Sequence, residues 1–301
     1  VRAYAHDHFR FPLPEGHRFP LGKYRLVREE AEQLPGFEVL EAPATGWEEL
    51  AGVHDPAYLR DVRYGMLDRR AQAALGLPWS PELVLRARRS AGATVTAAGA
   101  ALEDGVAANL GGGTHHAGRA FGRGYCLFND VVLAIRGLRL EGRLRRVLVV
   151  DLDVHQGDGT ADLLRGDDEA FLLSVQGAGN FPFKRIAADL DVDLPDGTGD
   201  DVYLGAVAPA LDRALDRSRP ELVVYAAGAD PWESDRLGRL ALSTEGLARR
   251  DALVTERCRQ AGLPMLVVLA GGYGEPIEGT IGIHRRTLVE AAALAPRPAA
   301  A

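Results

Sequence analysis

The chain has 301 residues, 47% hydrophobic and 26% charged, which is ordinary for a soluble globular protein and enough for one large α/β domain or two small ones. A net charge of −7 with no basic block argues against a nucleic-acid partner, and no apolar run approaches the roughly 20 residues of a membrane span. Cys126 and Cys258 alone make no disulfide framework, and the N-terminal VRAYAHDHFRF lacks a signal-peptide core, so a cytoplasmic location is expected.

In chain order, the first regular element expected is a helix from Pro81 to Glu103, with Ser80 as N-cap and Pro81 at its first position. A strand at 107–110 (AANL) follows, then a helix at 129–140 and a strand at 147–150 (VLVV). Next come a helix at 158–165, a strand at 170–175 (AFLLSV) and a helix at 201–217. The series ends with a strand at 221–227 (ELVVYAA), a helix at 244–261, a strand at 265–270 (MLVVLA) and a helix at 284–294. Each apolar run is too short for a helix and is bounded by Gly, Pro or charge. The alternation implies right-handed crossovers and one mostly parallel sheet with helices on both faces. Residues 1–301 therefore read as a single α/β domain, with a frayed tail at about 296–301.

Unusual residues follow four of the strands. AANL is followed by GGGTHHAG, VLVV by DLDVHQGDG, ELVVYAAG by Asp230, and MLVVLA by GGYG. In open α/β sheets the C-terminal strand edge is where ligands bind. Asp151, Asp153 and His155 are two apart in extended chain and share a face. A single Asp-x-Asp at a strand end is more often a cap or a solvated turn. Three acids and a histidine within 151–158 point instead to a cation. Asp153 and His155 supply two ligands for a divalent metal, and Asp230 is available as a third. His115 and His116 follow three glycines, which suit a backbone that approaches a ligand closely. Asp151 and Asp158 remain to orient imidazoles. Tyr273 is either a rim aromatic or a phenol that donates to developing negative charge.

Taken together, GGGTHHAGRAFGRGYCLFND, DLDVHQGDGT, AAGADPWESDRLGRLALS and LAGGYG resemble the histone deacetylase family, in the family's order across 111–274. The N-terminal HRFPLGKYRLVRE and VHDPAYL also resemble its entrance region, in the form of bacterial and class IV-like members. The resemblance implies an arginase–deacetylase fold and a zinc-dependent amidohydrolase acting on acyl-lysine. It places the metal on Asp153, His155 and Asp230, with Fe(II) as an alternative ion. It makes His116 the general base and then acid, with His115 as electrostatic partner. Asp151 and Asp158 orient His115 and His116, and Tyr273 polarises the acyl carbonyl. Gly124, Tyr125 and Phe181 line the acyl-lysine tunnel, with Leu237 and Gly272 among the substrate-binding residues. The family usually has Phe where Tyr125 stands, and often a second His where Gln156 stands. A structural potassium ion would use Asp151, Ser174 and main-chain oxygens of Asp153, His155 and Val175.

Acetylpolyamine-selective relatives tend to carry an acid at the position of Leu237, which favours acyl-lysine here. An acetylated protein or small molecule is the expected partner. Two remote alternatives are a binuclear ureohydrolase, which needs more Asp and His ligands than these loops offer, and a silent acyl-binding protein, for which no expected catalytic residue is missing.

Overall fold

The computed structural model describes residues 1–296. All but the first residue of the tail expected at 296–301 lies outside the described residues. The chain opens with β1 (Arg2–Ala5), α1 (Lys23–Glu32) and β2 (Glu38–Glu41). Three short helices follow: α2 (Trp47–Ala51), α3 (Pro56–Tyr64) and α4 (Arg69–Leu75). Strands and helices then alternate through α5 (Pro81–Asp104), β3 (Val106–Asn109), α6 (Asp130–Leu140), β4 (Val147–Asp151), α7 (Asp158–Leu164) and β5 (Ala170–Gly177). The chain continues with β6 (Leu190–Leu194), α8 (Asp200–Ser218), β7 (Leu222–Ala226), α9 (Thr244–Ala261), β8 (Met265–Val268) and α10 (Ile277–Ala291).

The eight strands form one sheet in the order β2-β1-β3-β8-β7-β4-β5-β6, and every pairing is parallel. A parallel sheet must be covered on both faces, and its central strands are correspondingly apolar on both. In β4, Val147 and Val149 point into one core with α5 and α6 residues such as Leu83 and Val131. Leu148 and Val150 point into the other, with Val27 of α1, Val207 of α8, Val254 of α9 and Leu288 of α10.

Local signals behave as the sequence implies. Ser80 accepts from the Leu83 N–H at 3.1 Å, Pro81 follows it, and Gly105 ends α5 in the left-handed region at φ 81°. The largest boundary difference is α10, which begins at Ile277 rather than 284. Gly279 and Gly282 disguise its first turns, because glycine weakens a helical signal. Gly279 is there for space: a Cβ would lie 2.1 Å from the Trp232 ring. Strands expected through Ala227 and Ala270 stop at Ala226 and Val268, where the chain turns into loops.

The register decides where those loops begin. Asn109 pairs with Val268, Val268 with Ala226, Ala226 with Asp151, and Asp151 with Ser174. The last residues of β3, β8, β7 and β4 thus form one row across the middle of the sheet. The four loops that leave this row carry the unusual residues.

Candidate active site

The loop after β3 is shaped by its glycines and by Asp130. Gly112 and Gly113 have φ of 68° and 69°. A Cβ on Gly113 would lie 2.8 Å from that of Ala270, and one on Gly111 2.5 Å from the His6 ring. These glycines let the loop pack tightly, and Gly112 and Gly113 also line the cavity described below. Asp130 accepts from the N–H groups of Gly113 at 2.9 Å and Thr114 at 2.8 Å. Asn129, cap of α6, donates from Nδ2 to Ala117 O and Thr160 Oγ1, both at 3.0 Å. The loop so held delivers two buried imidazoles with ring centroids 4.2 Å apart. His115 Nδ1 lies 2.7 Å from Asp151 Oδ2, and His116 Nδ1 lies 2.6 Å from Asp158 Oδ1. The pairing is the one the resemblance implied.

Asp153, His155 and Asp230 each present one donor atom, all within 4.8 Å of one another. Asp153 and Asp230 are buried. His155 Nδ1 is 3.0 Å from Asp153 Oδ1 and 3.2 Å from Asp230 Oδ2. Asp230 Oδ2 nevertheless makes no well-formed hydrogen bond. A buried carboxylate oxygen without a hydrogen bond is costly unless a cation meets it. Burial first, and then Asp153, raises Asp230 to about 7; burial opposes, but Asp153 and Asp230 outweigh it, holding His155 up at about 10. Two carboxylates and an imidazole competing for protons in this way fit a divalent metal with an open coordination position. The other carboxylate oxygens are spoken for. Asp153 Oδ2 accepts from Gly271 N–H at 2.8 Å, and Asp230 Oδ1 from Val154 N–H at 2.9 Å. Gly271 permits this approach, since a Cβ there would lie 1.9 Å from Asp230 Oδ2.

Behind this group, Asp151 and Ser174 stand side by side on β4 and β5. Ser174 Oγ donates to Gln176 Oε1 at 2.6 Å.

A cavity of about 610 Å³ leads from the surface to these groups, and Gly124, Tyr125, Phe181, Leu237 and Tyr273 line it. The Phe181 ring packs edge-on to His116 at 5.0 Å, and Tyr125 meets Tyr273 at 6.0 Å. Tyr125 holds φ 68°, rare for a side chain this large, while its N–H donates to Leu75 O at 2.8 Å. Gly124 keeps clear of His116, where a Cβ would sit 2.6 Å from Cδ2. Gly272 is placed differently from its sequence assignment. It does not line the cavity; a Cβ there would meet Thr280 at 2.7 Å, and its carbonyl faces Lys23.

Sequence reasoning missed four charged residues that brace these loops. One is Asp130, which holds the backbone of the histidine loop. Lys23 is buried and donates from Nζ to Ala270 O at 3.4 Å and Gly272 O at 3.3 Å, on either side of the turn into Tyr273. Arg250 is buried behind the loops that carry Asp153 and Asp230 and donates to Gly228 O at 2.6 Å and Leu152 O at 3.4 Å. Arg123 pairs with the Asp158 oxygen that His116 leaves free and lies 4.7 Å over Phe121. Lys23 had a readable signal, as one of only two lysines in the chain and part of the HRFPLGKY block. Nothing in one sequence marks Arg123 or Arg250 among so many arginines.

The histone deacetylase domain family matches residues 17–281. An uncharacterized protein of Picosynechococcus sp. is 41% identical over 293 residues, covering 96% of both chains. The histone deacetylase-like amidohydrolase of Pseudomonas aeruginosa is 32% identical over 256 residues, 79% of this chain and 67% of that one. Histone deacetylase 2 of Arabidopsis thaliana is 33% identical over 234 residues, 75% of this chain but only 60% of that longer protein. The fold superposes on the acetylpolyamine aminohydrolase from Burkholderia pseudomallei with a TM-score of 0.78 at 22% identity, covering 98% and 99% of the two chains. With the domain matched across most of its length, and with an amidohydrolase among its relatives, this chain belongs to the histone deacetylase family of hydrolytic deacetylases.

Proposed function

We propose that the protein is a zinc-dependent amidohydrolase that removes acetyl or other acyl groups from the side-chain amine of acyl-lysine. The observation that carries this reading is the meeting of Asp153, His155 and Asp230 with two carboxylate-oriented histidines at the inner part of a narrow, aromatic-walled cavity. A zinc ion on those three residues supplies a Lewis acid that polarises the amide and acidifies water; Fe(II) suits the same donors.

The chain's own residues do the rest. The Asp158 carboxylate fixes the His116 proton on Nδ1 and leaves Nε2 bare as a base. His116 Nε2 takes a proton from the attacking water and later returns it to the departing amine. Tyr273 donates its hydroxyl proton as a hydrogen bond to the oxyanion formed when the carbonyl carbon becomes tetrahedral. Tyr125 and Phe181 hold the apolar part of the lysine side chain and keep bulk water out. Acetate and the free amine leave. Asp151 and Ser174, with carbonyls of Asp153, His155 and Val175, would hold a potassium ion that steadies the His115–Asp151 pair.

A second reading is deacetylation of an acetylated polyamine, because the Burkholderia pseudomallei protein that shares this fold is an acetylpolyamine aminohydrolase. Leu237 in the cavity wall, where an acid would attract such a cation, favours the lysine reading. A ureohydrolase gains no support, since Asp153, His155 and Asp230 form the sole such cluster among the described residues. The test is acetate release from an acetyl-lysine peptide and an acetylated polyamine side by side. Turnover is expected to stop with a chelator, return with zinc and be absent in Asp153→Ala. Failure of the purified protein to bind metal would end the reading.

A further inference from the structure

The carboxylates and guanidiniums that line the cavity are divided by position. Apart from Asp153 and Asp230, which face the metal position, they are Arg18, Arg86, Arg236 and Arg239. The chain as a whole is acidic, at −7, so this lining is a local reversal. At the buried end, Arg86 is 4% exposed and donates from Nη1 to the carbonyls of His6 at 3.0 Å and Phe9 at 3.2 Å. Its Nη2 has no partner. The nearby Asp7 is engaged elsewhere, with Arg28 at 3.0 Å.

At the mouth, Arg236 pairs with Glu275 at 3.0 Å and Arg239 with Asp196 at 3.2 Å. Those two acids keep 72% and 51% of their side chains in solvent, so the pairs are screened and readily exchanged for a competing carboxylate. Arg18 makes no ion pair among the described residues. It and Arg236 both bear electrostatically on the Tyr125 phenol, which places them around the same stretch of wall. Asp235, the acid next to Arg236, is turned inward: it accepts from the N–H groups of Leu237, Gly238 and Tyr273 at 2.8, 2.9 and 2.6 Å. Between Arg236 and Arg239 the wall is made by Leu237 and Gly238, and Phe183, 85% exposed, adds an apolar lip.

From this lining we infer that the mouth selects acyl-lysine in an acidic sequence context and rejects cationic acyl-amines. The inference rests on the deacetylase reading and names its substrate class. A carboxylate beside the acyl-lysine meets Arg18 directly and can displace Glu275 or Asp196 from their arginines. A polyamine brings its remaining ammonium groups against arginines, a like-charge contact that works as exclusion. Because the mouth groups are exposed, the selection acts chiefly on encounter and weakens with salt.

The test uses the zinc-loaded protein and three acetyl-lysine peptides alike except for flanking Asp/Glu, Ala or Lys/Arg, together with acetylspermidine. In low salt, kcat/KM is expected to be about 10-fold higher for the acidic peptide than for the basic one, with acetylspermidine poorest and the spread shrinking at high salt. Arg18→Glu is expected to compress or invert the acidic-to-basic ratio, read against the Ala-flanked peptide as internal reference. Its melting temperature and Arg18→Lys, which keeps the charge and the ratio, separate a folding defect from a charge effect. Equal kcat/KM for all three peptides, or a preference for the basic peptide or acetylspermidine, overturns the inference while leaving the deacetylase reading intact. Binding of the same peptides is followed by fluorescence anisotropy. No turnover with acid-preferring binding sinks the deacetylase reading and upholds the charge selection; no turnover with equal binding overturns both.

Discussion

His115 and His116 are neighbours in sequence, 5% and 4% exposed, and each sets Nδ1 against a carboxylate at 2.7 and 2.6 Å. Their proton affinities nevertheless diverge. Burial alone would lower both. For His115, Asp151 and a second carboxylate, Asp153, 3.9 Å from its Nε2, outweigh burial and raise it to about 9. For His116, burial is joined by the charges of His115, His155 and Arg123, which hold it well below the ordinary imidazole value. A partner carboxylate therefore orients the ring, and the next neighbours decide whether it carries charge. The arrangement drives the proton affinities of two imidazoles in opposite directions a ring's width apart, the kind of division a charge stabiliser and a base require.

The comparison breaks most plainly by removing the rings. His116→Ala is expected to cost roughly 10²–10⁴-fold in kcat with little change in KM, the span for a lost general base. His115→Ala is expected to cost clearly less, and equal losses in steady-state assays would erase the division of labour. Tyr273→Phe removes no charge and tests the third polar group, with an expected loss of roughly 2.7–4 kcal/mol of transition-state stabilisation, seen in kcat.

A third buried imidazole extends the comparison to a site with no carboxylate. His54 lies between Gly118 O, 2.9 Å from Nδ1, and Asn129 N–H, which donates to Nε2 at 3.0 Å. Burial pushes it down to about 4. The folded state thus resists a proton that the unfolded chain takes up near 6.5. Stability from this group is complete above that value and drains as pH falls toward 4, by about 3 kcal/mol in all. Denaturant melts at pH 7 and pH 5 should show this loss, and His54→Gln, which cannot titrate there, should reduce it, with the buried His6 and His284 supplying part of what remains. The smallest expected effect is at Arg123. Arg123→Ala removes a positive charge near His116, so imidazolium becomes easier to form. The acid limb of kcat/KM is then expected to move to higher pH, and an unmoved limb would remove Arg123 from the account.

The sequence made the middle of the sheet legible, because buried parallel strands write themselves as apolar runs ending in Gly, Asp or His. The edges are another matter. β2 is EVLE, with both glutamates exposed, and β6 is LDVDL, with acids alternating along the outermost strand. Neither has two covered faces, so neither reads as a run. Helices α1 to α4 carry only brief apolar stripes and escaped for the same reason. In the site, the clustering of Asp153, His155 and Asp230 and the two histidine–carboxylate pairs were legible through the family resemblance and their spacing. Gly272 falls outside the cavity lining, and in sequence a glycine beside Tyr273 looks the same whether it faces a cavity or Thr280. Arg250 was missed because its work is to satisfy carbonyls of two loops far apart in sequence, and burial of that kind exists only once the chain has folded.

The carboxylates of Asp153 and Asp230 each give one oxygen to the backbone of a neighbouring loop, while Arg250 ties Leu152 to Gly228 from behind. These ties do not depend on an ion. The loops are thus expected to hold their places when metal is removed, unlike small zinc modules that fold only around their metal. Stripping the protein should leave a native-like apoprotein that recovers on reloading, with a far-ultraviolet spectrum that hardly changes. In a cell, the occupant would then be chosen by which free ion is plentiful when the finished protein meets it, and one polypeptide could work as different metalloforms as supply changes.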